Sequence, residues 1–187
     1  MKQHRKSIRL PGYDYSTPGA YFITICTDFL RILFGNVTNT HMQLNALGTN
    51  AHNCWDEMPN HYPEVKLEVF QIMPNHMHGI LIIGEPDIAE EKPRQVFKRH
   101  ALGTILGSYK SAVTNQIHSL SGNEHTVVWE ANYYEHIIRD DESLQRIREY
   151  IINNPLKWHL DRYNPERTGK DDVDDWLDVL DSQPDMV

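Results

Sequence analysis

The chain has 187 residues, 40% hydrophobic and 24% charged, with a formal net charge of −8, which suits one globular domain with a sizeable core. No apolar run reaches the roughly 20 residues that cross a bilayer, and the basic start from Met1 to Lys6 leads into no signal-type apolar segment, so a membrane role is excluded. Two isolated cysteines, Cys26 and Cys54, point to free thiols in a reducing, cytoplasmic setting rather than to a disulfide framework.

In chain order, Pro11-Gly12 and Pro18-Gly19 punctuate an irregular N-terminal arm. Tyr21 to Thr27 reads as a strand, rich in aromatic and β-branched residues, with Arg31 to Val37 as its hairpin partner. Leu44, Leu47, Ala51, Cys54, Trp55 and Met58 recur at helical spacing, which predicts a helix over 43–60. Val65 to Met73 and His76 to Ile83 read as two strands of an antiparallel hairpin, joined at Pro74-Asn75. Gly84 to Pro93 is a surface loop, and a second helix follows over 96–120, ended by Ser121-Gly122-Asn123. Val127-Val128-Trp129 reads as a short strand, and Asp140 to Ser143 caps a third helix over 143–153. This order of elements predicts an α/β (α+β) fold with helices on one side of an antiparallel sheet.

Charge is unevenly spread. Residues 170–187 hold seven aspartates and one lysine, leaving the other 169 residues with 17 basic and 19 acidic side chains. Val173, Trp176, Leu177 and Leu180 give this acidic tail one apolar face as a helix. Residues 1–165 thus form the main domain and 166–187 an acidic tail. The tail either docks for stability or imitates the charge of DNA. Lys2, Arg5, Lys6 and Arg9, then Lys92, Arg94, Lys98, Arg99 and Lys110, are basic clusters that keep nucleic acid open as a partner despite the acidic total.

His76 and His78 stand two apart on a strand and so share a face, which makes half of a divalent-metal site. Imidazoles alone do not select the metal. A zinc hydrolase would add a third histidine or a carboxylate, for which Glu130, Glu135 and His136 are candidates. Tyr150 and Asn154 stand four apart and share a helical face. An amide oxygen can complete a metal site, and a tyrosine beside a metal-polarised phosphate can attack phosphorus. Equally, Tyr150 can be a core aromatic and Asn154 a helix terminator before Pro155, a position that disfavours helical backbone.

Three separated segments together resemble a known family. Pro74-Asn75-His76-Met77-His78, Trp129 to Arg139, and Tyr150-Ile151-Ile152-Asn153-Asn154-Pro155 resemble, in order and spacing, the motifs of the single-tyrosine HUH transposases, above all the REP-associated tyrosine transposases. The resemblance spans about residues 13–158. It implies a ferredoxin-like antiparallel sheet, and metal-dependent cleavage and rejoining of single-stranded DNA at hairpins through a 5′-phosphotyrosine on Tyr150. It implies a divalent ion, Mg²⁺ or Mn²⁺, held by His76, His78 and Asn154. DNA hairpins with a single-stranded flank would be the partner, met by Arg5, Lys6, Arg9, Lys98, Arg99, Lys110, His136 and Arg139. Tyr13 and Tyr15 are candidates for stacking on unpaired bases. No long exposed apolar helix demands a partner, which favours a monomer over a homodimer. The rival readings are a catalytically silent hairpin-binding protein derived from a transposase and a zinc hydrolase.

Overall fold

The computed structural model describes residues 12–84 and 99–182. Four antiparallel strands form the central sheet in the order β4-β5-β1-β6: β1 (Gly19–Cys26), β4 (Val65–Ile72), β5 (His76–Ile83) and β6 (Tyr134–Ile138). Helices α1 (Ala46–Asp56) and α3 (Leu102–Ser121) complete a ferredoxin-like βαββαβ unit. A one-turn helix, α2 (Met58–His61), follows α1. Helices α4 (Asp141–Asn153) and α5 (Asp172–Ser182) follow that unit.

Side-chain alternation along β1 and β5 sorts the molecule into two cores. Tyr21, Ile23, Ile25, Met77, Leu81 and Ile83 point to the face covered by α1 and α3, with Trp55, Leu106, Tyr109 and Val113. Phe22 and Ile80 point the other way and meet Ile147, Tyr150 and Ile151 of α4 and Leu177 of α5. The sheet is therefore covered on both faces, not on one. Helices α1 and α3 take the expected side, and α4 and α5 cover the side that carries His76 and His78. Two-sided cover also explains why β5 is an almost unbroken apolar run. None of the described helices is long and apolar enough to cross a membrane.

Several boundaries differ from the sequence expectation. The segment after β1 does not return to pair with it. Asp28–Leu30 forms a 3-10 turn, and β2 (Gly35–Thr38) instead pairs with β3 (His41–Leu44) in a separate hairpin. Asn39 and Thr40 adopt φ 49° and 66° at its tip, the left-handed pair that matches strand twist in a tight hairpin. Gly35 has φ 134°, and a Cβ there would run into the Gln43 carbonyl. Helix α1 accordingly starts at Ala46, where the Asn45 side chain accepts hydrogen bonds from the amides of Leu47 and Gly48 and fixes the N-terminus. Trp129 makes only an isolated bridge to Thr27, while the fourth strand is β6. Gly122, at φ 66°, ends α3 as expected. The surface loop over 84–93 lies, beyond Gly84, outside the described residues, as does the expected start of α3 at 96–98.

Gly79 is the tightest point between the sheet and α1. A Cβ there would lie 2.7 Å from the Trp55 ring and 3.2 Å from Phe70 Cβ. Trp55 is fully buried against Phe70 and Tyr109, so it has little freedom to retreat. Gly79→Ala is expected to destabilise the fold by about 1–3 kcal/mol, read as a lower urea midpoint at unchanged slope. An unchanged midpoint would show that the Trp55 ring yields.

Candidate metal and nucleophile site

The β4–β5 turn delivers His76 and His78 to the α4 side of the sheet, both essentially without solvent exposure. Their Nε2 atoms are 3.1 Å apart, near the spacing of two neighbouring ligands on one ion with bonds of about 2.1 Å. The proton position on His76 follows from its neighbour. The Asn75 amide nitrogen donates to the carbonyls of Leu30 at 3.2 Å and Tyr163 at 2.8 Å, which leaves Asn75 Oδ1 facing the ring. An amide oxygen only accepts, so His76 Nδ1 carries the proton and donates at 2.9 Å. The Nε2 lone pair therefore points into the site. His78 Nδ1 sits 2.8 Å from Thr24 Oγ1, a hydroxyl that accepts the ring proton when Nε2 acts as a donor atom to metal. Burial pushes the His76 pKa down to about 3 and that of His78 well below its ordinary value. Both rings are neutral, as metal ligation requires.

The third candidate ligand is Asp161, absent from the sequence reading. His76, His78 and Asp161 place donor atoms within 4.8 Å of one another, all buried. Asp161 Oδ2 lies 3.6 Å from His76 Nε2. The carboxylate is oriented from two sides: the Asn154 amide donates to Oδ2 at 2.8 Å, and the Tyr163 backbone N–H donates to Oδ1 at 2.7 Å. Asn154, the ligand expected from sequence, thus orients Asp161 through its nitrogen. Its Oδ1 is buried and accepts no hydrogen bond. Contrary to the expectation set by Pro155, Asn154 keeps helical angles, φ −58° and ψ −40°. Buried Tyr150 and Ile151 anchor the last turn of α4, and the bond to Asp161 holds the side chain, so tertiary contacts outweigh the local bias. Two neutral imidazoles, one carboxylate and an orphan amide oxygen suit a divalent cation.

Tyr150 projects from α4 into the same space. Its Oη is 3.3 Å from His78 Nε2 and 3.5 Å from Asp174 Oδ1 on α5. Burial, then the negative charges of Asp161 and Asp174, push its pKa well above 10, and Arg162 opposes them. The resting hydroxyl is therefore protonated. Arg162, next to Asp161, places Nε 2.9 Å from Asp174 Oδ1. Phe22 and Tyr163 flank the histidines, with ring centroids 5.5 Å from His78 and 4.7 Å from His76 respectively.

The remaining candidates fall into three groups. Arg5, Lys6, Arg9 and Lys98 lie outside the described residues, and so do Lys2, Lys92 and Arg94. Lys110 donates to the carbonyls of Glu130 and Ala131 at 2.7 and 3.0 Å, so it closes a loop of its own chain. Tyr13 and Tyr15 pack on each other and on the Tyr21 side of the core, where they are not presented for base stacking. His136 is half-buried on β6, opposite Phe22, with its pKa pushed down to about 4 by burial. Arg139 is exposed just beyond that strand, and Arg99 is half-buried just before α3. Glu130, Glu135 and His136 do not join the histidine pair; Asp161 does.

No protein-family model matches the chain. An uncharacterized protein of Haemophilus influenzae is 42% identical over 168 residues, covering 85% of this chain and 92% of its own length. A second H. influenzae protein, named "Putative REP-associated tyrosine transposase", is 24% identical over 145 residues, covering 77% of this chain and 74% of its own length. Among solved structures, a REP-associated tyrosine transposase bound to a REP hairpin aligns with a TM-score of 0.54 at 16% identity, covering 84% of this chain and 74% of that one. This likeness establishes the fold.

If Asp161 completes the site, Asp161→Ala should lower Mn²⁺ affinity by about 100-fold or more. Asn75→Ala, which releases the His76 tautomer, should lower it by about 10- to 100-fold. Both are read by equilibrium titration of the folded protein. Parent-like affinity in Asp161→Ala would remove that carboxylate from the site.

Proposed function

We propose that this chain, a member of one family with the 42%-identical H. influenzae protein and a relative of the REP-associated tyrosine transposases, cleaves and rejoins single-stranded DNA through Tyr150. The observation that carries this reading is the position of Tyr150 Oη, 3.3 Å from His78 Nε2, beside a buried His-His-Asp cluster in the same chain. A tyrosine serving only as core filling has no need of that cluster. The transposase with the shared fold is bound to a REP hairpin, and that supports a DNA hairpin with a single-stranded flank as the partner here.

His76, His78 and Asp161, with Asn154 Oδ1 as a further candidate donor, would hold a divalent ion, Mg²⁺ or Mn²⁺, which would supply Lewis-acid polarisation of the scissile phosphate. The other steps belong to the chain itself. Tyr150 Oη forms a bond to phosphorus as the bond from phosphorus to the 3′ oxygen breaks. Oη gives up its proton and the departing 3′ oxygen gains one, leaving a 5′-phosphotyrosine and a free 3′-hydroxyl. Attack by a 3′-hydroxyl reverses the exchange, so no nucleotide cofactor is consumed. Among the described residues, Arg162 is the cation whose charge favours loss of the Oη proton. A monomer is the oligomeric state proposed with this reading. Two free thiols fit a reducing cytoplasm.

One observation favours the second reading, a catalytically silent hairpin-binding protein. Asp174 puts a carboxylate 3.5 Å from the nucleophile, in space that a phosphate must enter. A denaturing gel separates the two. With Mn²⁺ and a labelled single-stranded hairpin, the parent is expected to give a covalent protein–DNA adduct, and Tyr150→Phe none while still binding the DNA. Binding without adduct in both proteins would establish the silent reading instead. Adduct in Tyr150→Phe would assign the nucleophile elsewhere.

A further inference from the structure

Arg162 is held in an unusual way for a residue so close to the nucleophile. Its side chain is 16% exposed, and its backbone position is fixed beside Asp161, whose side chain is fully buried. Three partners for its guanidinium come from α5. Nη2 donates to the Asp174 carbonyl at 2.8 Å and Nη1 donates to Asp178 Oδ1 at 2.9 Å, whereas Nε lies 2.9 Å from Asp174 Oδ1 as an ion pair but is buried without a hydrogen bond of its own. The same atom, Asp174 Oδ1, lies 3.5 Å from Tyr150 Oη. One anionic oxygen is thus shared between a guanidinium and the attacking hydroxyl. A phosphate about to be attacked must bring phosphorus to about 3–3.5 Å from Oη, so its non-bridging oxygens fall in this same volume. A guanidinium donates to carboxylate and phosphate oxygens alike, and the buried Nε of Arg162 still has a hydrogen bond to give.

We propose that Arg162 is the residue that binds the scissile phosphate, and that Asp174 Oδ1 occupies the position of a non-bridging phosphate oxygen until DNA displaces it. This rests on the reading of Tyr150 as the nucleophile, and it adds a role for Arg162 that the three sequence motifs do not contain. Arg162 holds the substrate's negative charge next to Oη and lies near enough to favour the phenolate. Both carboxylates that pair with Arg162 are carried on the chain's own acidic helix, and Asp174 is the one that also faces Oη, so DNA reaches Arg162 beside the hydroxyl by replacing Asp174. The competing view is that Arg162 simply pins α5 to the domain.

Anisotropy with a labelled single-stranded hairpin, Mn²⁺ and full-length Tyr150→Phe protein separates these views without any covalent step. Asp174→Asn is expected to tighten binding by about tenfold, and Arg162→Ala to weaken it by about tenfold or more. In the Asp174→Asn background Arg162→Ala should still weaken binding, with Mn²⁺ affinity and melting temperature unchanged. If Arg162→Ala has no effect in that background, Arg162 only pins α5 and the proposal falls. A neutral methylphosphonate walked along the single-stranded flank should abolish the effect of Arg162→Ala at one position. Loss of the effect at no position, or equally at all, would also overturn it. Arg162→Lys, which keeps the charge, should recover part of the affinity. The adduct gel is run in parallel: no adduct in the parent defeats the nucleophile reading, whereas the binding series decides on Arg162 by itself.

Discussion

The Asn75 side chain ties together the three segments from which the site is built. Its nitrogen bonds the carbonyl of Leu30, in the turn after β1, and the carbonyl of Tyr163, just beyond Asp161. Its oxygen takes the proton of His76 Nδ1. Because an amide presents donor and acceptor in fixed positions, these bonds are interdependent: turning the amide to suit one breaks the others. The same residue therefore aims the His76 lone pair and locks the chain segment that supplies Asp161. Thr27 adds a second clamp on this turn, donating from its hydroxyl to the Asn75 carbonyl at 2.9 Å. The ligand geometry is a property of the β4–β5 turn as much as of the histidines.

Burial then sets the electrostatics. Taking two imidazoles out of water keeps them neutral, and taking Tyr150 out of water keeps it protonated. Two Nε2 atoms at 3.1 Å repel through their lone pairs unless a proton or a cation lies between them. Asp161 contributes the negative charge that makes a divalent cation the better occupant. Its second oxygen is already committed to the Tyr163 amide, so its orientation does not depend on the ion. Such preorganisation is what the proposed polarisation of a phosphate would call for.

Much of this was legible in the sequence, for a definable reason. The span of β5, the ends of α3 and α4 and the shared face of His76 and His78 all follow from local rules: strand alternation, a left-handed glycine, an aspartate cap. The pairing of β2 with β3 escaped because Leu44 and Leu47 look like one helical stripe, while Asn45 between them is a cap that ends one element and starts the next. Strand β6 escaped because Tyr134 to Ile138 is short and its pattern mixes Glu135 and His136 into an edge strand. Asp161 escaped for a deeper reason. It sits in an irregular turn seven residues after Asn154, between Leu160 and Arg162, and nothing in its neighbours signals a ligand. Only the packing of that turn over His76 makes it one. Asn154 was singled out from sequence, yet its partner in the fold carries the charge.

The acidic tail draws the chain's composition into the same picture. Most of the net charge of −8 lies beyond residue 169, which on a solvated tail would merely repel DNA. The tail is instead a helix seated on the α4 face, with Leu177 buried and Trp176 under Arg146, 4.3 Å from guanidinium carbon to ring centre. Four of its aspartates have ion-pair partners: Asp175 with Lys170 inside the tail, Asp171 with Lys157, and Asp174 and Asp178 with Arg162. Lys157 and Arg162 both lie in the segment that follows α4. Leu177 and its apolar neighbours anchor α5, the largely buried Arg162–Asp174 pair adds to that hold, and the exposed Asp178 adds little. A single acidic element thus accounts both for most of the negative total and for the carboxylates that face Tyr150 and Arg162.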